Sequence, residues 1–209
     1  MKIIKPYHVI ETSIDGMAIL EHIEKCGRTC YKSEDKITAV SAAKFIEKII
    51  SSGHESVIEH FSITVRFICD RGVSHELVRH RLASFSQEST RYCNYGKADE
   101  ITVIEPCFFN EDDGNIEAFY TWESAMQDAE QAYLALIAQG AKPQEARSVL
   151  PNSLKTEVVM TANLREWRTI LKQRTSKAAH PQMRQIMIPF MTELKELIPV
   201  VFDDIKAAE

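Results

Sequence analysis

The stretch Arg79-His80-Arg81-Leu82-Ala83-Ser84-Phe85-Ser86-Gln87-Glu88-Ser89-Thr90-Arg91-Tyr92 is the densest in chemistry. It packs three arginines, one histidine, three serines, a glutamine and a glutamate into fourteen residues. Residues 74–82 read as a helix after Gly72, with Ser74 as its cap. On a helix, Arg79, His80 and Arg81 would fan over about 200°. They could not all grip one group, so they would serve two ligands, or one ligand and a neighbouring subunit. The S-x-S-x-x-S-x-R that follows offers hydroxyls and a guanidinium from a loop. From the residues alone, this is a site for two anionic or carbonyl-bearing ligands, with a solvated polar loop as the alternative.

Composition narrows the classes. The chain has 209 residues, 44% apolar and 26% charged, with a net charge of −5. That length supports a single domain, 1–209, with a core that needs no disulfide or structural metal. The acidic balance argues against a nucleic-acid-binding domain. No window approaches the roughly 18 uninterrupted apolar residues of a membrane span. The start, MKIIKPYHVI, breaks at Lys5 and Pro6 and lacks a signal-peptide h-region. Cys26, Cys30, Cys69, Cys93 and Cys107 form no C-x-x-C and read as reduced thiols of a cytoplasmic protein. No lysine lies between Lys48 and Lys97, yet Arg66, Arg71, Arg79, Arg81 and Arg91 do. Arg147, Arg165, Arg168, Arg174 and Arg184 form a second group. Arginine's planar fork suits phosphate, carboxylate or a carbonyl edge, so clustered arginines in an acidic chain suggest a local anion site.

Residues 2–10 read as a strand, and Ile14 to Cys26 as a helix stopped by Gly27. Val40, Ala43, Ile46, Ile49 and Ile50 give Thr38–Ser52 a helical period before Gly53. Phe61, Ile63, Val65 and Phe67 alternate with polar residues, the pattern of a half-buried strand. A short strand spans 101–105, and 110–115 is a turn or exposed loop. Asn115 should cap a long helix, Ile116–Gln139. Pro143 opens a short helix that Pro151 ends, and 156–161 is a strand. Asn163 and Glu166 resemble a capping box. Pro181 opens the last helix, which Pro189 should kink. The class is α/β, α+β-like, with a central mixed or antiparallel sheet, flanking helices and no Rossmann unit.

Metal and dinucleotide motifs fail. His54-Glu55 and His75-Glu76 begin H-E-x-x-H, but Ile58 and Arg79 occupy the final position, so no metal site is expected. The scattered glycines form neither G-x-G-x-x-G nor a Walker loop. A bound nucleotide or flavin would therefore be held by side chains and helix ends.

R-H-R, seven residues, Ser89, one residue and Arg91 resemble the signature of the flavin-dependent thymidylate synthases. Gly53-His54-Glu55-Ser56-Val57-Ile58-Glu59-His60 is similar to the family's G-H-x-S/T-x-x-E-H. Ala146-Arg147-Ser148-Val149-Leu150-Pro151 is similar to its A-R-x-x-L-P. Asn163-Leu164-Arg165 and Arg174 follow at familiar distances, so the resemblance covers about residues 26–190.

The resemblance implies methylation of dUMP to dTMP. The carbon donor would be 5,10-methylenetetrahydrofolate and the reductant NADPH, with FAD mediating and tetrahydrofolate released. It also implies a homotetramer with FAD shared between subunits. His54, Ser56, Arg79, His80, Arg81, Gln87, Asn163, Leu164, Arg165 and Thr169 would hold FAD. Glu76, Leu77, Val78, Arg79, Gln87, Glu88, Ser89, Thr90, Arg91, Arg147 and Arg174 would frame dUMP. Arg174 would be catalytic, its guanidinium favouring negative charge on the pyrimidine. No base is fixed near Ser89 by spacing, so it is read as a positioning hydroxyl rather than a nucleophile. Glu76 stands where the family holds Gln, Thr169 where Asn or His is expected, and Cys30 where some relatives have Ser near the adenine. Between Gln87 and Glu88, the one facing the ligand is left open. Trp122 and Trp167 read as core, Tyr92 and Tyr95 as ring-stacking or loop-closing, and His180 as a cap. A flavin-binding regulator and an RNA-binding module are the competing classes, separable by flavin bleaching with NADPH and by salt dependence.

Overall fold

The computed structural model describes residues 1–97, 100–109 and 115–208; Asn110–Gly114 of the expected turn lie outside them. In chain order the elements are β1 (Lys2–Ile4), β2 (Tyr7–Ile10), α1 (Gly16–Thr29), α2 (Ser41–Ser51), β3 (Ser62–Asp70), α3 (Arg71–Leu77), β4 (Ala83–Gln87), β5 (Thr102–Ile104), α4 (Ile116–Ala138), α5 (Pro143–Ala146), β6 (Lys155–Asn163), α6 (Leu164–Arg174) and α7 (Pro181–Leu197). A 3₁₀ turn, Glu55–His60, precedes β3. The class is mixed α/β, with an antiparallel sheet in strand order β2-β3-β6-β4. A separate parallel pair joins β1 to β5, Ile3 opposite Val103. Contacts divide the chain into two compact units. The first comprises 1–8, 66–79 and 85–159; the second comprises 9–65, 80–84 and 160–209.

In the first unit, Ile101, Val103, Tyr133, Ala146 and Leu154 form a buried cluster. Trp122 packs against it, partly buried, and its indole donates to Ser153 Oγ at 3.1 Å. The Met1 ammonium pairs with Glu130 at 3.1 Å.

In the second unit, Trp167 is fully buried, donates to the Ile63 carbonyl at 3.1 Å and stacks edge-on against Phe190 at 5.0 Å. Fully burying such a side chain stabilises by roughly 1.5–3 kcal/mol. The alternation expected around residue 65 is present: Ile63 and Val65 are buried, while Thr64 on the other face meets the Thr161 hydroxyl at 2.8 Å. His180 caps α7 as expected, its Nδ1 accepting from Gln182 N at 3.3 Å. Pro181 opens that helix, and Pro189 lies inside it.

Several local readings need correction. The first strand is two, parted at Lys5-Pro6, because proline has no N–H for a ladder. Helix α1 runs through Gly27 to Thr29. That glycine serves close packing rather than termination: a Cβ there would lie 2.7 Å from the Phe45 ring. Helix α3 starts earlier than expected, because Asp70 Oδ1 accepts from Val73 N at 2.9 Å and is the cap in place of Ser74. It ends at Leu77, so Arg79, His80 and Arg81 occupy a non-helical link before β4. Their helical fan does not exist, and Ala83–Gln87, expected to lie in a loop, forms strand β4. Asn115 makes no side-chain cap; its amide donates to the Phe108 carbonyl at 3.4 Å. Asn163 does cap α6, accepting from Glu166 N at 2.9 Å. The Glu166 carboxylate, however, faces His80.

Candidate active site

The first unit collects most of the residues expected to frame dUMP. A cleft of ≈ 440 Å³ is lined by Arg71, Thr90, Gln144, Arg147, Pro151 and Leu154, among others. Arg147 Nη1 donates to Thr90 Oγ1 at 3.4 Å, and Arg91 Nε donates to Gln144 Oε1 at 3.4 Å. Ser89 Oγ accepts from Arg91 N at 3.3 Å, which fixes the turn of this loop. Among the described residues, Arg71 and Arg147 have no carboxylate partner. Sequence reasoning placed neither Arg71 nor Gln144 in the site. For Arg71 the available signal was its position directly after Asp70, the true cap of α3.

Gln87 and Glu88 are both hydrogen-bonded within the first unit, to different partners. Glu88 is committed: Oε1 accepts from the Tyr95 hydroxyl at 2.9 Å and Oε2 from Lys155 Nζ at 2.9 Å. Burial works against charge on Lys155, yet hydrogen bonds to Glu157 and Glu88 hold its pKa above the ordinary value. Burial and the neighbouring Glu88 push the Tyr95 phenol up, keeping it a neutral donor. Tyr95 therefore closes the loop, whereas Tyr92 is 75% exposed. Gln87 turns its amide nitrogen to Ser74 Oγ at 3.0 Å and Thr156 Oγ1 at 3.3 Å. Arg79 and Val78 are exposed, Glu76 is half-buried, and Leu77 is fully buried, leaving only its backbone for a ligand.

The second unit holds Arg174 and most of the residues expected for FAD. The Arg174 Nε–H donates to His80 Nε2 at 3.0 Å. An acceptor Nε2 requires the neutral Nδ1–H tautomer. That Nδ1 faces Glu166 Oε1 at 3.6 Å. Burial and the Arg174 charge depress the His80 pKa to about 4. The Glu166 contact is therefore not an ion pair at neutral pH; burial also raises the Glu166 pKa. A neutral imidazole between a carboxyl and a guanidinium fixes the orientation of Arg174.

His54, Ser56 and Arg81 are exposed. The 3₁₀ turn carrying Ser56 abuts the start of α6: Leu164 N donates to the Phe61 carbonyl at 3.0 Å, and Arg165 pairs with Glu59 at 2.6 Å. The Leu164 side chain is fully buried, so it offers a backbone contact only. Thr169 Oγ1 donates to the Arg165 carbonyl at 3.2 Å.

Other arginines of the sequence clusters are structural. Arg168, 1% exposed, meets Glu55 Oε1 at 3.2 and 3.1 Å, Asp204 at 2.6 and 2.8 Å, and the Val201 carbonyl. Arg184 donates to the Ala208 carbonyl. Arg66 pairs with Glu157 at 3.1 Å.

The family model described as thymidylate synthase complementing protein matches residues 14–200. A flavin-dependent thymidylate synthase of Geobacter sulfurreducens is 33% identical over 202 residues, covering 90% of this chain and 85% of its own length. One from Corynebacterium aurimucosum is 35% identical, covering 87% and 78% respectively. The solved UMP/dUMP methylase PolB of Streptomyces cacaoi, bound with 5-Br dUMP, superposes with a TM-score of 0.78 at 23% identity, over 97% of this chain and 96% of that one. That likeness concerns the fold. The matching model spans both arginine-bearing segments and the Asn163–Arg174 helix, and on it and these relatives the chain belongs to the flavin-dependent thymidylate synthase family.

Proposed function

We propose that this enzyme methylates dUMP to dTMP, taking the carbon from 5,10-methylenetetrahydrofolate and the reducing equivalents from NADPH, with tetrahydrofolate released. The observation that carries the reading is the ≈ 440 Å³ cleft in which, among the described residues, Arg71 and Arg147 lack carboxylate partners. Two unneutralised guanidiniums suit a phosphate monoester, which accepts forked, charge-assisted hydrogen bonds. Ser89, Thr90 and Arg91 on the adjoining loop would complete the nucleotide's cradle.

Arg174 acts on the pyrimidine. Its guanidinium, oriented by neutral His80, stabilises negative charge as it develops on the uracil, making C5 nucleophilic. Ser89 positions the nucleotide.

FAD suits the donor set of the second unit: exposed guanidinium, hydroxyl and imidazole side chains at Arg81, Ser56 and His54, and a capped helix start at Asn163–Arg165. With His80 and Thr169 these residues would hold a diphosphate without a glycine loop. When bound, FAD supplies hydride transfer between NADPH and the one-carbon unit. We read the assembly as a homotetramer, which the family resemblance supplies. Five cysteines outside any disulfide suit a reducing cytoplasm.

The test is dTMP formation with dUMP, methylenetetrahydrofolate, NADPH and FAD, each omitted in turn. Formation only in the complete mixture supports the reading. Undiminished dTMP without flavin, or none in the complete mixture, overturns it.

A further inference from the structure

A second cleft lies wholly within the second unit and has a volume of ≈ 590 Å³. Its wall carries Arg28, Lys36, Lys44 and Lys48, with His54 at the same lining. Four cations in one cleft of a chain with net charge −5 are a concentration of positive field. Arg28 is already satisfied: Nε and Nη2 donate to Glu24 Oε1 at 3.1 and 2.7 Å, and its guanidinium lies 4.5 Å above the Phe45 ring. Glu24, the carboxylate nearest to hand, is 1% exposed, and its other oxygen accepts from Ser41 at 2.7 Å. Among the described residues, Lys36, Lys44 and Lys48 have no carboxylate partner.

These three lysines set the chemistry. Lys44 and Lys48 stand one turn apart on α2, about 5–6 Å between their Cβ atoms. An ammonium is a point charge on a flexible stem, so each lysine can meet a separate anionic group rather than clamp one group in a fork. Among the described lining residues Arg28 alone carries a fork, and it is occupied. A row of ammonium groups instead matches a flexible chain bearing one carboxylate per repeat. The half-buried Phe45 and buried Ile49 give the cleft an apolar wall for the chain's methylenes.

We propose that this cleft binds the oligo-γ-glutamyl tail of the folate donor, Lys36, Lys44 and Lys48 pairing with successive carboxylates. The assignment rests on the folate-dependent reading above. It predicts that the enzyme prefers polyglutamylated over monoglutamylated folate, and that the preference resides in these lysines. Each exposed pair is weak, so the combined effect is about tenfold in affinity.

The test uses the full-length enzyme with Lys36, Lys44 and Lys48 together changed to Gln. Equilibrium dialysis compares folic acid carrying one and three glutamates; steady-state assays compare methylenetetrahydrofolate in the same two forms. The wild type should bind the triglutamate about tenfold more tightly, and the variant should lose most of that gap, as should the wild type at high salt. Equal binding of both forms by the wild type, or a gap that survives in the variant, overturns the proposal. So does a variant whose NADPH KM rises while its glutamate preference stands, because the lysines would then serve nucleotide phosphate. If no folate supports dTMP formation, the catalytic reading fails, while dialysis still decides the tail site.

Discussion

His80 makes the site's electrostatics measurable without substrate. Its imidazole is 7% exposed and accepts a hydrogen bond from Arg174. Its pKa falls from 6.5 to about 4, through burial first and the Arg174 charge second. The unfolded chain therefore takes up a proton near pH 6.5, and the folded chain only near pH 4. Between those values the unfolded state binds more protons, so stability falls as pH falls through the window. The full shift corresponds to about 3 kcal/mol, of which about 2 kcal/mol is lost by pH 5. The raised Glu166 pKa, set by burial, has the opposite sign, native protonation favouring the fold as pH falls; His80→Gln keeps a neutral polar neighbour beside that carboxyl. Urea unfolding of wild type and His80→Gln at pH 7 and pH 5 isolates the difference. Wild type should lose about 2 kcal/mol more than the variant over that interval. Equal losses would refute a buried neutral His80, and with it the argument that an imidazole acceptor orients Arg174.

Further outcomes follow from the same geometry. Arg174→Ala should lower dTMP formation at saturating dUMP by about 100-fold while NADPH oxidation persists, and Arg174→Lys should rescue poorly because an ammonium lacks the two-donor fork. Ser89→Ala should weaken dUMP binding yet keep measurable single-turnover methylation; a complete block with normal binding would make the serine a nucleophile. Arg168→Met should cost about 3 kcal/mol in urea unfolding, since it removes the buried guanidinium shared by Glu55 and Asp204 and leaves Glu55 only Lys172 at 3.9 Å. Gly16→Ala should lower stability by about 1–3 kcal/mol, because the new Cβ would sit 2.1 Å from the Leu197 carbonyl oxygen; an unchanged Tm would contradict the close approach of α1 to the end of α7.

Local periodicity carried much of the fold. The alternation in β3, a strand at 156–161 and the Pro181 start of α7 are all visible in the sequence. Strand β4 was not, because Ala83, Phe85 and Gln87 form a half-buried face with a single large apolar residue. Gly27 misled for a different reason: its lack of a side chain answers Phe45 and Val57, neighbours that the local pattern does not reveal. At the site, the residue types were legible in the motif, but their commitments were not. Arg168 finds Glu55 113 residues away and Asp204 36 away; Arg66 finds Glu157 at 91. Glu88 pairs with Lys155, 67 residues on. Pairing over such separations is a property of topology, which no window of sequence contains.

The two arginine-rich segments therefore resolve by a physical criterion. A guanidinium already met by carboxylates gains little from a ligand anion and would have to surrender charge-assisted bonds to take one. On that criterion Arg28, Arg66 and Arg168 belong to the scaffold, and Arg165 would have to release Glu59, a solvent-exposed partner, to meet a ligand. Arg71, Arg81 and Arg147 carry no such partner among the described residues. Arg174 is distinct again, because its Nε partner is a neutral imidazole rather than an anion. A carboxylate in that place would neutralise the guanidinium and spread its charge inward. An uncharged acceptor instead fixes direction without an ion pair at Nε. Depression of the His80 pKa is thus what lets an imidazole hold Arg174 through a neutral hydrogen bond.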